Sequence, residues 1–266
     1  MDKIRLLIEE DVKRIEKNIT NFFKTDIDVL SDLNLFLQEK SKRIRSILAL
    51  LYLKTNNILI DENYISLLSA GELIHNASLL HDDVVDDSDT RRGNITLNAK
   101  YNPKIAVLSG DYLLSFAVNY LIKLNNQDIL SIFIDTTKKM SESEIQQYSL
   151  RNQGVSLDEY LQIIYGKTAS LFEGIMESSA IIANLDRQKA GEFGRLFGML
   201  FQINNDYSEA SIKNDKANAV MTVTDILGIE KTNNLKDNYK EKMRAIFKEF
   251  SDNEYKQGLE DLVNLL

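Results

Sequence analysis

The stretch Gly71–Gly93 reads GELIHNASLLHDDVVDDSDTRRG, and its pattern indicates the fold of the surrounding chain. Its first ten residues are largely apolar and predict a buried helix. Five carboxylates then crowd into eight residues, and two arginines follow at once. On a helix, Asp82 and Asp86 are four residues apart and project from the same face, with Asp83 beside them. The stretch therefore predicts a helix that carries a cluster of acids at its end.

This acidic cluster needs a cation nearby, because carboxylates at such spacing repel one another. Mg²⁺ is the obvious candidate, since it takes oxygen ligands and is commonly shared between one or two carboxylates and substrate phosphates. The paired arginines Arg91 and Arg92 supply fork-shaped donors suited to phosphate oxygens. A charge run alone is more often a solvated helix end. Here the apolar helix before the run and the arginines after it favour a metal and phosphate site.

Helical periodicity dominates the rest of the chain. One proline and 11 glycines among 266 residues leave few interruptions, and Asp61 and Ser156 stand before predicted helix starts as N-caps. No stretch alternates with a period of two between turn signals. We therefore predict an all-α protein, a single domain over residues 1–266 containing about ten to twelve helices. The predicted helices are 2–23, 28–39, 42–54, 62–81, 103–124, 127–138, 141–152, 157–183, 187–208, 217–229, 235–249 and 252–265.

Composition limits the partners and compartments that fit this chain. It has 32 basic and 40 acidic residues, a net charge of −8, and no basic stripe of the kind that nucleic-acid-binding proteins carry. No uninterrupted apolar run approaches the roughly 18 residues of a membrane-spanning helix, and residues 1–10 lack a signal-peptide pattern. Without cysteine there is no disulfide or thiolate metal site. We expect a cytoplasmic protein with no nucleic-acid partner and no membrane span.

Six motifs and the single residue His75 occur in an order that resembles the trans-isoprenyl (polyprenyl) diphosphate synthase family, over roughly residues 35–230. Asp82–Asp86 resembles the first aspartate-rich motif of that family, Arg91–Gly93 follows at the usual spacing, and His75 lies seven residues before Asp82. One such match would be weak, but the set in order is specific. The remaining matches are Ser41–Arg45 for an early basic segment, Gly110–Leu114 for the next helix, Tyr165–Ala169 for the lysine-threonine motif and Gly198–Gln202 before the second acidic motif.

The resemblance implies a helical bundle of the isoprenoid synthase type with a central active-site cavity. It also implies a Mg²⁺-dependent prenyltransferase, usually a homodimer, that joins isopentenyl diphosphate to an allylic diphosphate. The allylic diphosphate ionises to a carbocation, the double bond of isopentenyl diphosphate attacks it, and a proton is then lost from the adduct. Such chemistry requires stabilisation of the departing diphosphate in a site that excludes water.

The resemblance further implies a role for each matching residue. Mg²⁺ would be held by Asp82, Asp83 and Asp86, and the allylic diphosphate would be contacted by Arg91 and Lys167. The residues expected to hold isopentenyl diphosphate are Lys42, Arg45, His75 and Arg92, and those expected near the reacting carbon are Thr168 and Gln202.

The second acidic motif departs from the family pattern. Where the family has two aspartates, two residues and a third aspartate, this chain has Asn205, Asp206 and then Glu209. An amide oxygen can still coordinate Mg²⁺ but brings no negative charge, so we expect a weakened metal site at Asn205, Asp206 and Glu209. Most of the phosphate-binding loop that follows in the family is also missing, and Lys213 and Lys216 are candidates to replace its lysine.

Two small residues set the expected product length. The growing tail should run back along the helix that precedes Asp82, and Ala77 and Ser78 lie about one turn earlier, at about 1.5 Å of rise per residue. Short-chain members of the family tend to have large aromatic side chains there, so these small ones favour a long-chain synthase. Alternatively, they only allow close helix packing, and Leu113 or Phe116 forms a deeper floor.

Three hypotheses therefore remain open from the sequence. The leading one is a long-chain polyprenyl diphosphate synthase. A short-chain synthase making farnesyl or geranylgeranyl diphosphate is disfavoured by Ala77 and Ser78. A poorly active regulatory or partner subunit of a heteromeric synthase is suggested by Asn205 and the missing loop, whereas the intact first motif, Lys167 and Gln202 favour activity.

Overall fold

The structure is a computed structural model that describes residues 1–20, 27–39, 41–207 and 221–266. Regular structure within these ranges is helical apart from one two-stranded hairpin, so the predicted all-α class is confirmed. In chain order the elements are α1 (Asp2–Leu6), α2 (Glu9–Thr20), α3 (Asp28–Gln38), α4 (Ile44–Thr55), α5 (Glu62–Val85), β1 (Thr90–Arg91), β2 (Asn94–Ile95), α6 (Leu97–Lys100), α7 (Pro103–Lys123), α8 (Gln127–Ser149), α9 (Leu157–Ile164), a π-helical turn (Tyr165–Ala169), α10 (Ser170–Ala183), α11 (Arg187–Asp206), α12 (Val223–Leu227), α13 (Ile229–Phe247) and α14 (Glu254–Asn264).

The helix boundaries differ from the predicted ones at a few places. The two helices predicted over 127–138 and 141–152 form the single helix α8. Ser141, at the predicted break, donates its hydroxyl to the carbonyl of Thr137 at 3.1 Å and so stays inside the helix. The helix predicted over 2–23 is divided into α1 and α2.

Both predicted N-caps are confirmed. The Asp61 carboxylate accepts hydrogen bonds from the backbone N–H groups of Asn63 and Tyr64 at the start of α5. Ser156 and Glu159 form a reciprocal capping box at the start of α9. Each such cap contributes about 1 kcal/mol, because it satisfies backbone donors that have no partner within the helix.

Contacts divide the chain into two compact units. The single domain expected over residues 1–266 stays a prediction. The N-terminal unit comprises Ile8–Leu50 and Ile60–Leu130, and the C-terminal unit comprises Met1–Leu7, Leu51–Leu59 and Ser131–Leu266.

Helix α5 is the central helix of the N-terminal unit. Its residues Leu67, Leu68, Leu73 and Leu80 are at most 1% exposed, and it packs along α7 and against α2. A helix that is apolar on most of its circumference must be covered on several sides, and full burial of each leucine contributes about 1.5–3 kcal/mol. The acids at the end of α5 therefore stand on a rigid support.

Aromatic packing holds together the C-terminal unit. Helices α10 and α11 lie side by side, and the rings of Phe172 and Phe197 are 5.4 Å apart between centroids. Phe193 on α11 meets Phe247 on α13 at 5.6 Å. These separations are typical of favourable aromatic pairs, so α11 is fixed from both sides.

Helix α7, in the N-terminal unit, is long and apolar enough to cross a membrane when judged by length and composition alone. It is the one such helix found among the described residues, and a third of its apolar window is buried. Ala106, Leu113 and Ala117 are fully buried on its inner face, where it packs on α5. A single helix of this kind is weak evidence for a span, because core helices of globular proteins satisfy the same test.

Candidate active site

The first acidic motif forms the C-terminal turn of α5. The backbone N–H of Asp86 donates to the carbonyl of Asp82 at 2.8 Å, so these two acids lie one helical turn apart. Both are partly exposed, whereas Asp83 is only 2% exposed. In the part of the chain that the structure describes, no three histidine, cysteine, aspartate or glutamate side chains come together as a ready-made metal cage.

Asp83 faces an arginine of the following hairpin. Arg91 donates from Nε to Asp83 Oδ1 at 2.8 Å. Burial raises the pKa of Asp83, and the Arg91 charge and hydrogen bond oppose that increase. A buried carboxylate needs such a partner, so Asp83 fixes the hairpin to the end of α5.

The hairpin turn presents the second arginine. β1 and β2 pair antiparallel, with Arg91 opposite Asn94. The two turn residues, Arg92 and Gly93, have φ of 51° and 85°. Positive φ at both central residues is the requirement of a type I′ turn, which suits a two-residue hairpin. Glycine adopts a positive φ without strain, whereas the same conformation costs an arginine free energy. Backbone preference therefore does not explain why Arg92 occupies this turn.

Arginines surround His75 in the N-terminal unit. Burial lowers the pKa of His75 well below its usual range, and the charges of Arg45, Arg92, Arg43 and Arg91 lower it further. The imidazole is therefore neutral near pH 7. Burial also lowers the pKa of Arg45, to about 10. The structure thus brings together Arg45, His75 and Arg92, three of the four residues predicted to hold isopentenyl diphosphate, and its cationic side chains suit an anion.

Lys42, the fourth predicted residue, is exposed beside this cluster in sequence. Its neighbour Arg43, to which the sequence assigned no role, is buried at φ 47°. Arg43 Nη1 lies 3.4 Å from Glu72 Oε2, and Nη2 donates to the carbonyl of Leu37 at 2.6 Å. In the sequence, the signal for this buried pair was Glu72, a charged residue within an otherwise apolar helix.

Lys167 lies in the π-helical turn of the C-terminal unit. Its Nζ is 2.6 Å from Glu144 Oε2 and 2.8 Å from Gln147 Oε1, both on α8. The sequence assigned no role to Glu144 or Gln147. Their three-residue spacing, on one helix face, was the only local signal.

Thr168 and Gln202, both predicted to lie near the reacting carbon, are joined by a hydrogen bond. Thr168 Oγ1 donates to Gln202 Oε1 at 2.9 Å, and Gln202 Nε2 donates to Asp206 Oδ1 at 2.6 Å. Tyr160, which the sequence analysis did not single out, donates its hydroxyl to Asp206 Oδ2 at 2.5 Å. Burial raises the pKa of Asp206, and the bonds from Tyr160 and Gln202 oppose the increase.

The rest of the second acidic motif is only partly described. Asn205 is half-buried, and its neighbour Asn204 accepts a hydrogen bond from Lys236 Nζ on α13 at 2.6 Å. Burial lowers the pKa of Lys236. Glu209, Lys213 and Lys216 lie outside the described residues, so their predicted roles stay predictions.

The residues predicted to set product length lie on α5 and α7. Ala77 is fully buried, and Ser78 is half-buried and donates its hydroxyl to the carbonyl of His75 at 2.8 Å. Leu113 is fully buried on α7. Phe116 meets Tyr112 edge to face at 4.9 Å. Small side chains thus occupy the turn of α5 before the acids, and bulkier ones stand on α7.

Comparison with known proteins places these motifs in a family. The polyprenyl synthetase family model matches residues 29–258. An octaprenyl diphosphate synthase of Haemophilus influenzae is 34% identical over 216 residues, which are 79% of this chain and 65% of that protein. A decaprenyl-diphosphate synthase of Dictyostelium discoideum is 35% identical over 205 residues, which are 76% of this chain and 45% of that protein. The chain therefore spans less than two thirds of the length of these two relatives.

A solved structure agrees with the fold. The crystal structure of a decaprenyl diphosphate synthase from Rhodobacter capsulatus superposes with a TM-score of 0.90 and 24% identity, over 99% of this chain and 97% of that one. The predicted helical bundle of the isoprenoid synthase type is therefore confirmed.

Proposed function

Because the chain belongs to the polyprenyl synthetase family, we propose that it condenses isopentenyl diphosphate with an allylic diphosphate to make a long-chain polyprenyl diphosphate. One observation carries the proposal beyond the family match. Arg45, Arg92 and a neutral His75 cluster in the same unit as the acids Asp82 and Asp86. Such a set offers cationic donors for one diphosphate and hard oxygen ligands for a metal that neutralises another.

The residues present fit Mg²⁺ at the first motif. This ion keeps several waters and is usually held by one or two carboxylates together with substrate phosphates, so a complete protein cage is not required. Asp82 and Asp86, one turn apart and partly exposed, would hold it, and Asp83 would keep Arg91 in place beside them. Bound Mg²⁺ would supply Lewis-acid stabilisation of the departing diphosphate.

Charge placement explains how the arginine cluster would work. Guanidinium groups bind phosphate oxygens through paired, charge-assisted hydrogen bonds. A neutral His75 carries one ring N–H group and would donate one further hydrogen bond to the diphosphate. Removal of water around the buried Arg45 strengthens its attraction for a diphosphate. These residues, with Lys42, would therefore bind and orient isopentenyl diphosphate.

The C-terminal unit would act on the allylic substrate. Lys167 would bind the allylic diphosphate. Thr168 and Gln202, fixed to each other, present oxygen atoms that would stabilise positive charge developing on the reacting carbon. Their hydrogen bond holds both side chains in place, so no reorganisation would be needed when the charge appears.

Product length is the finer part of the proposal. The relatives named above are octaprenyl and decaprenyl synthases, and this chain has Ala77, fully buried, one turn before the acids. We propose that a long tail passes this position. An aromatic side chain at this turn would block the tail.

Assembly and compartment belong to the same proposal. Leu108, Val118 and Ile122 are 62%, 45% and 60% exposed on one side of α7, and an exposed apolar face of this kind marks interaction sites. We propose that two copies of the chain pair in a cytoplasmic homodimer. Light scattering of the purified chain, with and without Leu108→Glu, tests the dimer, and cell fractionation tests the compartment.

A catalytically weak partner subunit is the second candidate. The observation that favours it is the second acidic motif, where Asn205 brings no charge and Asp206 already accepts two hydrogen bonds. Such a chain would bind diphosphates and depend on another synthase subunit for turnover.

A condensation assay on the purified chain separates these readings. It would use Mg²⁺, farnesyl diphosphate and labelled isopentenyl diphosphate, with products separated by length. Long products support the main proposal, and arrest after one or two additions would make the chain a short-chain synthase. No turnover with intact diphosphate binding would contradict the proposal and favour the partner subunit.

A further inference from the structure

The π-helical turn Tyr165–Ala169 is the least regular part of the described helices around the lysine-threonine motif. Such turns are rare and frequently occur at functional sites. Gly166 allows the turn to approach α8, because a Cβ there would lie 1.8 Å from Ser143 Oγ and 3.0 Å from the carbonyl oxygen of Lys139. Ser170 Oγ donates to the Gly166 carbonyl at 2.7 Å. The turn is therefore held tightly against one face of α8.

This close approach brings Lys167 to two acceptors on α8. Glu144 Oε2 and Gln147 Oε1 lie 2.6 and 2.8 Å from Lys167 Nζ. The side chains of Lys167 and Glu144 are 28% and 19% exposed, so water screens their attraction only in part. Within the described residues, ion pairs such as Lys13–Glu9 and Lys138–Glu142, which join neighbouring turns of one helix, are far more exposed and contribute little.

A fixed ammonium group is useful for diphosphate chemistry. Lysine is a point charge on a flexible four-carbon stem, and holding it in one place costs conformational entropy. An acceptor on a rigid helix orders the lysine side chain in advance, so this entropy is not lost when the substrate binds. Charges that are already in place act on the transition state without reorganisation. The same carboxylate also competes with a diphosphate for the ammonium, so it weakens ground-state binding.

We propose that Glu144, assisted by Gln147, is a positioning residue that fixes the Lys167 ammonium for the allylic diphosphate. The inference rests on the proposed function, in which Lys167 binds that diphosphate. Glu144 acts through Lys167 and raises turnover at the expense of substrate affinity.

Replacement of the carboxylate by an amide tests this role. Glu144→Gln keeps the shape and one acceptor but removes the charge. We expect kcat to fall about tenfold, the effect of losing one charge-assisted hydrogen bond, while KM for the allylic diphosphate stays the same or falls. Glu144→Asp, which keeps the charge, should recover part of kcat. A purely structural role would not separate kcat from KM in this way.

The matched control is Glu142→Gln on the same helix. Glu142 lies on the exposed side of α8 and is 3.8 Å from Lys138, so its replacement removes the same charge without touching Lys167. We expect wild-type kcat and KM. Equal kcat in Glu144→Gln and Glu142→Gln would overturn the proposal.

A binding measurement keeps the test independent of turnover. Calorimetry with inorganic pyrophosphate at fixed Mg²⁺ should show several-fold tighter binding in Glu144→Gln than in wild type. In a Lys167→Met background, Glu144→Gln should no longer tighten pyrophosphate binding. This double-mutant cycle reports the coupling of the two side chains. Zero coupling would refute the role of Glu144. An inactive wild type with clear coupling would refute the proposed function instead.

Discussion

The two acidic regions of this chain have similar spacing and different surroundings. At the first, Asp82 and Asp86 are partly exposed at the end of a buried helix. At the second, Asp206 is 7% exposed and accepts hydrogen bonds from Tyr160 and Gln202. The partly exposed acids Asp82 and Asp86 can therefore meet a metal, whereas Asp206, like the buried Asp83 at the matching position of the first region, organises neighbouring side chains. The contrast teaches that the environment of a carboxylate decides its chemistry.

The largest effect is expected at the first region. Asp82→Ala should lower condensation by roughly 10²–10³-fold or more, because it removes a ligand from the charge that stabilises the leaving diphosphate. Initial rates at saturating Mg²⁺ measure it. The variant should keep its helical circular dichroism, since Asp82 is partly exposed. Wild-type activity in a folded Asp82→Ala protein would break the assignment of the first region as the metal site.

A change of product follows from the turn before these acids. Ala77→Phe should shorten the product and spare the first condensation, because the ring would fill the path of the tail. Overpacking at this buried position should also cost about 1–3 kcal/mol of stability, so melting is measured beside product length. Ala77→Ser serves as the control and should keep the wild-type length. Unchanged products from a folded Ala77→Phe variant would contradict the proposed path of the tail past Ala77.

The sequence predicted features that depend on local spacing. The two acids one turn apart and the capping residues Asp61 and Ser156 follow from helix geometry. The arginine cluster around His75 was expected only from the resemblance, since the segments that carry it are separated in sequence.

Features that depend on distant partners could not be predicted in this way. Tyr160 bonds to Asp206 across 46 residues, and Glu144 bonds to Lys167 across a helix boundary. The π-helical turn also depends on the packing of Gly166 against α8, which no local periodicity encodes. Sequence spacing identified Asp206, and tertiary packing determined which way it faces.

A moderate gain is expected from restoring the second region. Asn205→Asp adds the missing negative charge, so the Mg²⁺ concentration for half-maximal activity should fall about tenfold, equivalent to roughly 1.4 kcal/mol. Mg²⁺ titration of initial rates measures it. Asn204→Asp is the control, because it adds the same charge next to Lys236 instead. An equal response of both variants would show that general charge, and not the motif position, controls metal binding.

The smallest effect is a pH dependence that separates the buried acid from the exposed ones. Burial raises the pKa of Asp206 above its ordinary value of 3.8, so the folded state binds this proton more tightly than the unfolded state. Its contribution to stability is therefore fully present below pH about 3.8 and is lost as the pH rises through the folded-state pKa. Asp206→Asn removes this titration while keeping an oxygen acceptor.

We therefore expect the melting temperature of wild type, relative to Asp206→Asn, to decline as the pH rises through that window. Tyr160→Phe sharpens the test, because Tyr160 donates to the ionised carboxylate and its loss should raise the pKa of Asp206 further. The decline should then extend to higher pH. A difference between wild type and Asp206→Asn that stays constant with pH would mean that Asp206 meets water as Asp82 and Asp86 do, and the contrast between the two acidic regions would fail.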